Sequence, residues 1–444
     1  MKEENKASYE VSSFIINASK IEFDKNEAPI KEDFPAFVHE WWHYIQDTST
    51  ITGQNGFYLW LRDIVQMSNI TCKGEGQIIT IPLSKDAYDQ VYSKNRRLYN
   101  IFCGEKKEEF FKDAVITQEP TISTNEIKFD GEKRTFTKCL IYINDRELIF
   151  GLLALQELNA YYCQKLVESY LQGTQFNVSA DSLPDYPYKV GDLMFAYHKI
   201  DCDLNTKFFI SSISLDTLQA PAVFLSLLCR LSNKKLEYPK DRDFILQAFE
   251  EESRNYSHSN IEALDEWFKD YKMWLRDESH IMLRESLSWY IMSVGGMEKL
   301  KSEYGIDAFV KPITLGLKNL SSLYSLFPAP LIQRNGEVLG QTIRNNAALS
   351  AAAQHDFENA LIIWSHRRIY DLLKSEKLED VVDNSTCPLY NDGKCIYLNK
   401  YQNREYDCRT APWMVVKGEK QALCPYAVAA HSMGLWQNDI SIEF

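Results

Sequence analysis

The chain has 444 residues, of which 45% are hydrophobic, 25% charged and 13% aromatic. Such a composition can build a sizeable core and excludes a disordered or collagen-like protein. Lys and Arg number 49 against 62 Asp and Glu, a net charge of −13. A surface this acidic repels phosphate backbones, and the short basic clusters Lys94 to Arg97 and His366-Arg367-Arg368 do not offset it, so nucleic acid is not an expected partner.

The first residues, Met1 to Lys6, are mixed in charge and lead into no apolar run, so no secretory signal is expected. The longest apolar stretch, Ala220 to Leu228, is far short of a membrane helix. A cytoplasmic protein without membrane contact follows as an expectation, and its ten cysteines are then expected as free thiols or metal ligands.

In chain order, residues 9–24 carry β-prone runs that predict a short hairpin or two edge strands. Asp33-Phe34-Pro35 predicts a helix start, with Asp33 as N-cap and Pro35 in the first turn. Phe34, Phe37, Val38, Trp41, Trp42 and Ile45 then recur at helical spacing. Thr48 to Gly56 reads as a break and Phe57 to Met67 as a second helix. Between 76 and 150 the sequence turns to β: Gln77 to Ile81, Glu126 to Phe129, a turn at Asp130-Gly131, and Thr135 to Ile143. Asn144 to Glu147 ends that strand, and Leu148 to Leu171 reads as a long helix. Beyond residue 205 nearly everything reads helical, with candidates at 219–231, 241–254, 259–276, 279–294, 306–325 and 347–375. Pro328-Ala329-Pro330 separates the last two.

The residues that carry chemistry are His39-Glu40-Trp41-Trp42-His43, an H-E-x-x-H on the predicted helix. Residues four apart share a helix face, so both imidazoles can reach one Zn²⁺ while Glu40 faces the water it activates. A carboxylate there can take the proton of that water as it attacks a peptide carbonyl. Gln46 and Asp47 follow His43 by three and four residues; they are either partners that orient a histidine or the exposed end of the helix.

Together with Glu157-Leu158-Asn159-Ala160, with 113 residues intervening after His43, the motif resembles the gluzincin zinc peptidases. In that clan an H-E-x-x-H helix is completed by a glutamate from a later helix, often within E-x-x-A. The resemblance covers two short blocks. It implies that His39, His43 and Glu157 bind zinc and that Glu40 is the general base. Glu285, in Arg284 to Trp289 with His280 nearby, is the rival third ligand. Tyr161, on the helix face of Glu157, is either a hydrogen-bond donor to the reacting oxygen or a core residue.

Four later cysteines, Cys387, Cys395, Cys408 and Cys424, lie in a turn-rich segment and could hold a second Zn²⁺ or an iron–sulfur cluster, with His431 as a substitute ligand. The alternative is buried unligated thiols, as expected for the scattered Cys72, Cys103, Cys139, Cys163, Cys202 and Cys229. The expected fold is α+β and mostly helical: a zincin-like catalytic region with a small antiparallel sheet (1–204), a large helical region (205–380) and a Cys-rich segment (381–444). The expected function is zinc-dependent hydrolysis of peptide bonds in a specific intracellular protein target. Two alternatives stay open, a regulatory or binding protein on the same scaffold and a metal or redox sensor built on the late cysteines.

Overall fold

The short β-prone runs at the start of the chain form β1 (Ser8–Glu10) and β2 (Ile15–Asn17), an antiparallel pair. The computed structural model describes residues 7–10, 14–25, 28–72, 76, 78–81, 83, 103–104, 107–129, 132–256, 269–270, 281–319, 331–334, 337–339, 347–374, 424–435 and 439–442. Helix α1 (Phe34–Ser49) follows, with Pro35 in its first turn as expected. Asp33 occupies the N-cap position, but its carboxylate does not cap the helix. It accepts instead from the Glu22 N–H and the Asn177 side chain, both at 2.9 Å.

The stretch 48–56, expected as a break, is a single-residue corner at Thr50, and α2 (Ile51–Thr71) starts at once. Thr50 serves both helices: its hydroxyl donates to the Gln46 carbonyl (2.7 Å) and accepts from the Gly53 N–H (3.1 Å). Gly53 is needed there, since a Cβ would lie 2.3 Å from the Gln46 carbonyl oxygen. Helix α1 is buried along almost its whole length, which places it at the centre of the molecule rather than on its surface.

Strand β3 (Ile78–Ile81) precedes a three-stranded antiparallel meander of β4 (Ile116–Phe129), β5 (Glu132–Ile143) and β6 (Arg146–Ile149). Asn144 and Asp145 both take positive φ (47° and 63°) and turn β5 back into β6. The helix expected from Leu148 therefore begins only at α3 (Leu152–Tyr170). Gly151 sets that boundary. Residues 103–104 cross it so closely that a Cβ would sit 2.3 Å from the Cys103 carbonyl carbon.

Then come α4 (Val190–Tyr197), β7 (Asp201–Cys202), α5 (Leu204–Ser214), α6 (Ala220–Arg230), β8 (Lys235–Leu236), α7 (Arg242–Tyr256), α8 (Ile281–Tyr304) and α9 (Val310–Thr314). Helices α6 and α7 match expectation, whereas α4 and α5 were not foreseen. Of the helix expected at 306–325, Val310–Thr314 form α9 and 317–319 are helical again, while 320–325 lie outside the described residues. The helix expected at 259–276 lies outside the described residues apart from 269–270, which are helical.

The stretch around 331–339 is not helical either. It forms β9 (Leu331–Arg334) and β10 (Glu337–Leu339), which extend the N-terminal pair into a sheet of order β1-β2-β9-β10, with β2 and β9 parallel. Helix α10 (Ala347–Leu373) packs on α8 and on the late helix α11 (Pro425–Ser432), and β11 (Asp439–Ile442) pairs in parallel with β3. The architecture is mostly helical with several small sheets, and one continuous apolar core joins its early, middle and late segments. Among the described residues no helix is long and apolar enough to cross a membrane.

A buried ion pair ties α7 to the α8–α9 connection. Arg242 grips Asp307 bidentately (2.6 and 2.8 Å), and the Tyr238 hydroxyl donates to the same carboxylate at 2.9 Å. Burial alone would raise the Asp307 carboxyl, but these donors outweigh it and hold its pKa below the usual carboxylate value. A depressed carboxyl contributes stability that is present above the unfolded-state value of about 4 and is lost as pH falls through the folded one. The urea midpoint of the native protein should therefore exceed that of Asp307→Asn at pH 6, and the gap should close as the pH is lowered from about 4 toward 3. An unchanging gap would show that the pair contributes geometry and not charge.

Candidate metal centre

Helix α1 presents His39, Glu40 and His43 toward α3, the helix it packs against most extensively, and α3 returns Glu157. The Nε2 atoms of His39 and His43 each lie 3.2 Å from the same oxygen, Oε2 of Glu157. One donor atom from each residue falls within 4.8 Å of the others, and among the described residues this is the group of three that could hold a metal ion. Both imidazoles are buried, while the Glu157 side chain keeps 28% exposure, so the cluster opens to solvent on the α3 side.

The protonation of His43 is fixed from behind. Its Nδ1 faces the Gln46 Oε1 at 2.8 Å. The Gln46 Nε2 donates at 3.0 Å to both the Gln156 carbonyl and the Asn159 Oδ1, which identifies Oε1 as the end turned to the histidine. Asn159 is fixed in turn. Its Oδ1 also accepts from the Trp42 indole at 2.6 Å, and its Nδ2 donates to the hydroxyls of Ser211 (2.7 Å) and Ser212 (2.8 Å). His43 thus carries hydrogen on Nδ1 and turns its Nε2 toward a carboxylate oxygen.

Two lone pairs do not rest against each other without a positive charge between them. In the metal-free protein a proton supplies it. Burial by itself would lower the His43 pKa, but the Glu157 carboxylate outweighs that and pushes it up to about 9. Burial would raise Glu157, and the two histidines hold it well below the usual carboxylate range instead. A divalent cation satisfies the same three atoms, and two imidazole nitrogens with one carboxylate oxygen are a donor set that suits zinc.

Glu40 lies beside the cluster, half-buried. Burial raises its carboxyl pKa, the two histidines pull against that, and Glu157 adds to the rise. A residue the sequence did not single out, Tyr9 of β1, lies on this side of the cluster. The Tyr9 hydroxyl donates to Asp47 Oδ2 at 2.9 Å, and its ring stacks on His43 with centroids 6.3 Å apart. Tyr188, also unforeseen, lies against His39 with centroids 5.8 Å apart, and its hydroxyl reaches Glu108 at 3.3 Å. Burial first, then the surrounding carboxylates, raise this phenol far above its ordinary value, so it stays protonated. The buried His39 Nδ1 has no hydrogen-bond partner, which leaves this ring less firmly held than His43.

Of the residues singled out in the sequence, His39, Glu40, His43 and Glu157 come together. Gln46 and Asp47 face inward as partners and are not an exposed helix end. Tyr161 turns away from Glu157 and donates to Asp192 at 3.3 Å. The rival Glu285 lies on α8 with its side chain outside the described residues, as is His280. Cys387, Cys395 and Cys408 also lie outside the described residues, and the Cys424 sulfur accepts from the Ala427 N–H (3.4 Å) at the start of α11. Cys103, Cys139 and Cys163 are buried thiols as expected, whereas Cys229 is exposed. Comparison with protein-family models, with curated proteins and with solved structures finds no match.

Proposed function

We propose that the protein is a zinc-dependent hydrolase of peptide bonds, with the metal held by His39, His43 and Glu157. The observation that carries this is the convergence of the His39 and His43 Nε2 atoms on one Glu157 oxygen, with Gln46 holding the far side of the His43 ring. Bound there, zinc supplies Lewis-acid polarisation of a carbonyl and a water acidified toward neutral pH. The chain's own groups do the rest. Glu40, its pKa raised by burial, accepts the proton of the attacking water and returns it to the departing amine nitrogen, so that water is added across the C–N bond. Tyr188 stays neutral and closes the His39 side with a hydrogen bond to Glu108, while the exposed edge of Glu157 leaves the approach open.

The experiment is elemental analysis of protein purified without chelator, beside His39→Ala and Glu157→Ala. One zinc per chain is expected in the native protein and essentially none in either variant. Native protein that stays zinc-free after zinc is resupplied would overturn the assignment.

A further inference from the structure

We propose that a cleft beside helix α1 binds a small, uncharged molecule with an apolar body and a hydrogen-bond acceptor, and that this occupant tightens the hold on zinc. The coupling to zinc rests on the metal centre proposed above; occupancy of the cleft does not.

The cleft lies where α1 and the corner at Thr50 meet α3, the end of α5 and the α8–α9 connection. It encloses about 350 Å³ of space, part of it open to solvent, which is within the size range of small-molecule sites. None of His39, His43 and Glu157 lines it. Its walls are largely apolar: α1 supplies Trp42 and Ile45, and the segments that face α1 supply Leu215, Ile306 and Phe309. Walls of this kind favour an apolar body over water.

The polar groups of the cleft select what such a body must carry. Ser49 is 3% exposed and lines the cleft, and its hydroxyl makes no hydrogen bond among the described residues. A buried hydroxyl without a partner is costly, and an acceptor placed in the cleft removes that cost. Lys301 offers a second donor. Its ammonium has three hydrogens and, among the described residues, two acceptors, Asp216 at 2.7 Å and Glu298 at 3.2 Å. These three groups sum to one negative charge, so an anion is repelled from this end, while a cation meets the Lys301 ammonium. A neutral carbonyl satisfies the donors without either penalty.

The link to the metal centre is the amide pair. Gln46 and Asn159 both line the cleft, and both belong to the chain of hydrogen bonds that holds the far side of the His43 ring. The cleft is space into which the Gln46 side chain can swing away from His43. An occupant removes that space, keeps His43 oriented and so favours the metal-bound state.

Benzamide, a ring with a neutral carbonyl, is the probe. Titrated into zinc-free protein and followed by NMR, it should bind saturably with Kd of about 1 mM or tighter. Benzoate, of the same shape but anionic, should bind at least about tenfold more weakly. Ser49→Leu, which fills the cleft, should abolish benzamide binding, and Ser49→Ala, which removes only the hydroxyl, should weaken it about three- to tenfold. Binding that does not saturate, equal affinity for benzoate, or native affinity in Ser49→Ala overturns the site. With benzamide at saturation, competition against a chelator should show zinc held about fivefold more tightly, and zinc should raise benzamide affinity by the same factor. Equal zinc affinity with and without benzamide overturns the coupling. Failure of the zinc centre itself looks different: benzamide would still bind, while no zinc was retained with or without it.

Discussion

Glu40→Gln should reduce peptide turnover by about 10² to 10⁴-fold while zinc stays at one per chain. The amide keeps the volume of the carboxyl, but it cannot take a proton from water. None of the three metal ligands is touched, so stability and metal content serve as internal controls. The measurement is kcat on a peptide library together with elemental analysis of the same preparation. Residual activity at the native level would remove Glu40 from the chemistry, and with it the proposed mechanism.

Asn159→Leu should have the largest effect on stability, about 3–5 kcal/mol, because five groups converge on one buried amide. The Trp42 indole and the Gln46 amide would lose an acceptor, while the Ser211 and Ser212 hydroxyls and the Phe208 carbonyl (3.3 Å) would lose a donor. Leucine fills the space and satisfies none of them. Gln46 would also be freer to turn, so His43 would lose its fixed tautomer and zinc affinity should fall about 10 to 100-fold. Asn159→Asp should recover part of the stability, since its oxygens still accept from Trp42 and Gln46 and the serine hydroxyls can rotate to donate. Urea unfolding and zinc competition with a chelator measure the two effects. If Asn159→Leu were as stable as Asn159→Asp, the hydrogen-bonded bridge between α1, α3 and α5 would be dispensable.

What local pattern encodes was legible in the sequence, and what distant pairing creates was not. The H-E-x-x-H spacing places His39 and His43 on one helix face by helical geometry alone, and Glu157 entered through the later E-x-x-A block. Thr50 and Gly53 looked like a long break because glycine and threonine disfavour helices locally. In the fold they make a tight corner in which the missing Cβ lets α2 cross the end of α1. Strand β6 was hidden because its apolar end runs into that of α3, with only Gly151 at the boundary between them. Tyr9 was beyond reach. It lies 31 residues before Glu40, in a strand whose sheet is completed by residues 331–339. No periodicity near Tyr9 predicts that placement.

That sheet imposes an order on biosynthesis. The proposed zinc ligands and the base all lie within the first 157 residues, so a ribosome completes them when barely a third of the chain exists. Strand β2, which carries β1, gains its second neighbour only when Leu331 to Arg334 emerge, and β3 waits for Asp439 to Ile442. Contacts this far apart along the chain form late. A nascent polypeptide would thus carry the proposed zinc ligands long before the sheet that supports β1 is complete, and the proposed centre would mature only after Leu331 to Leu339 have been made.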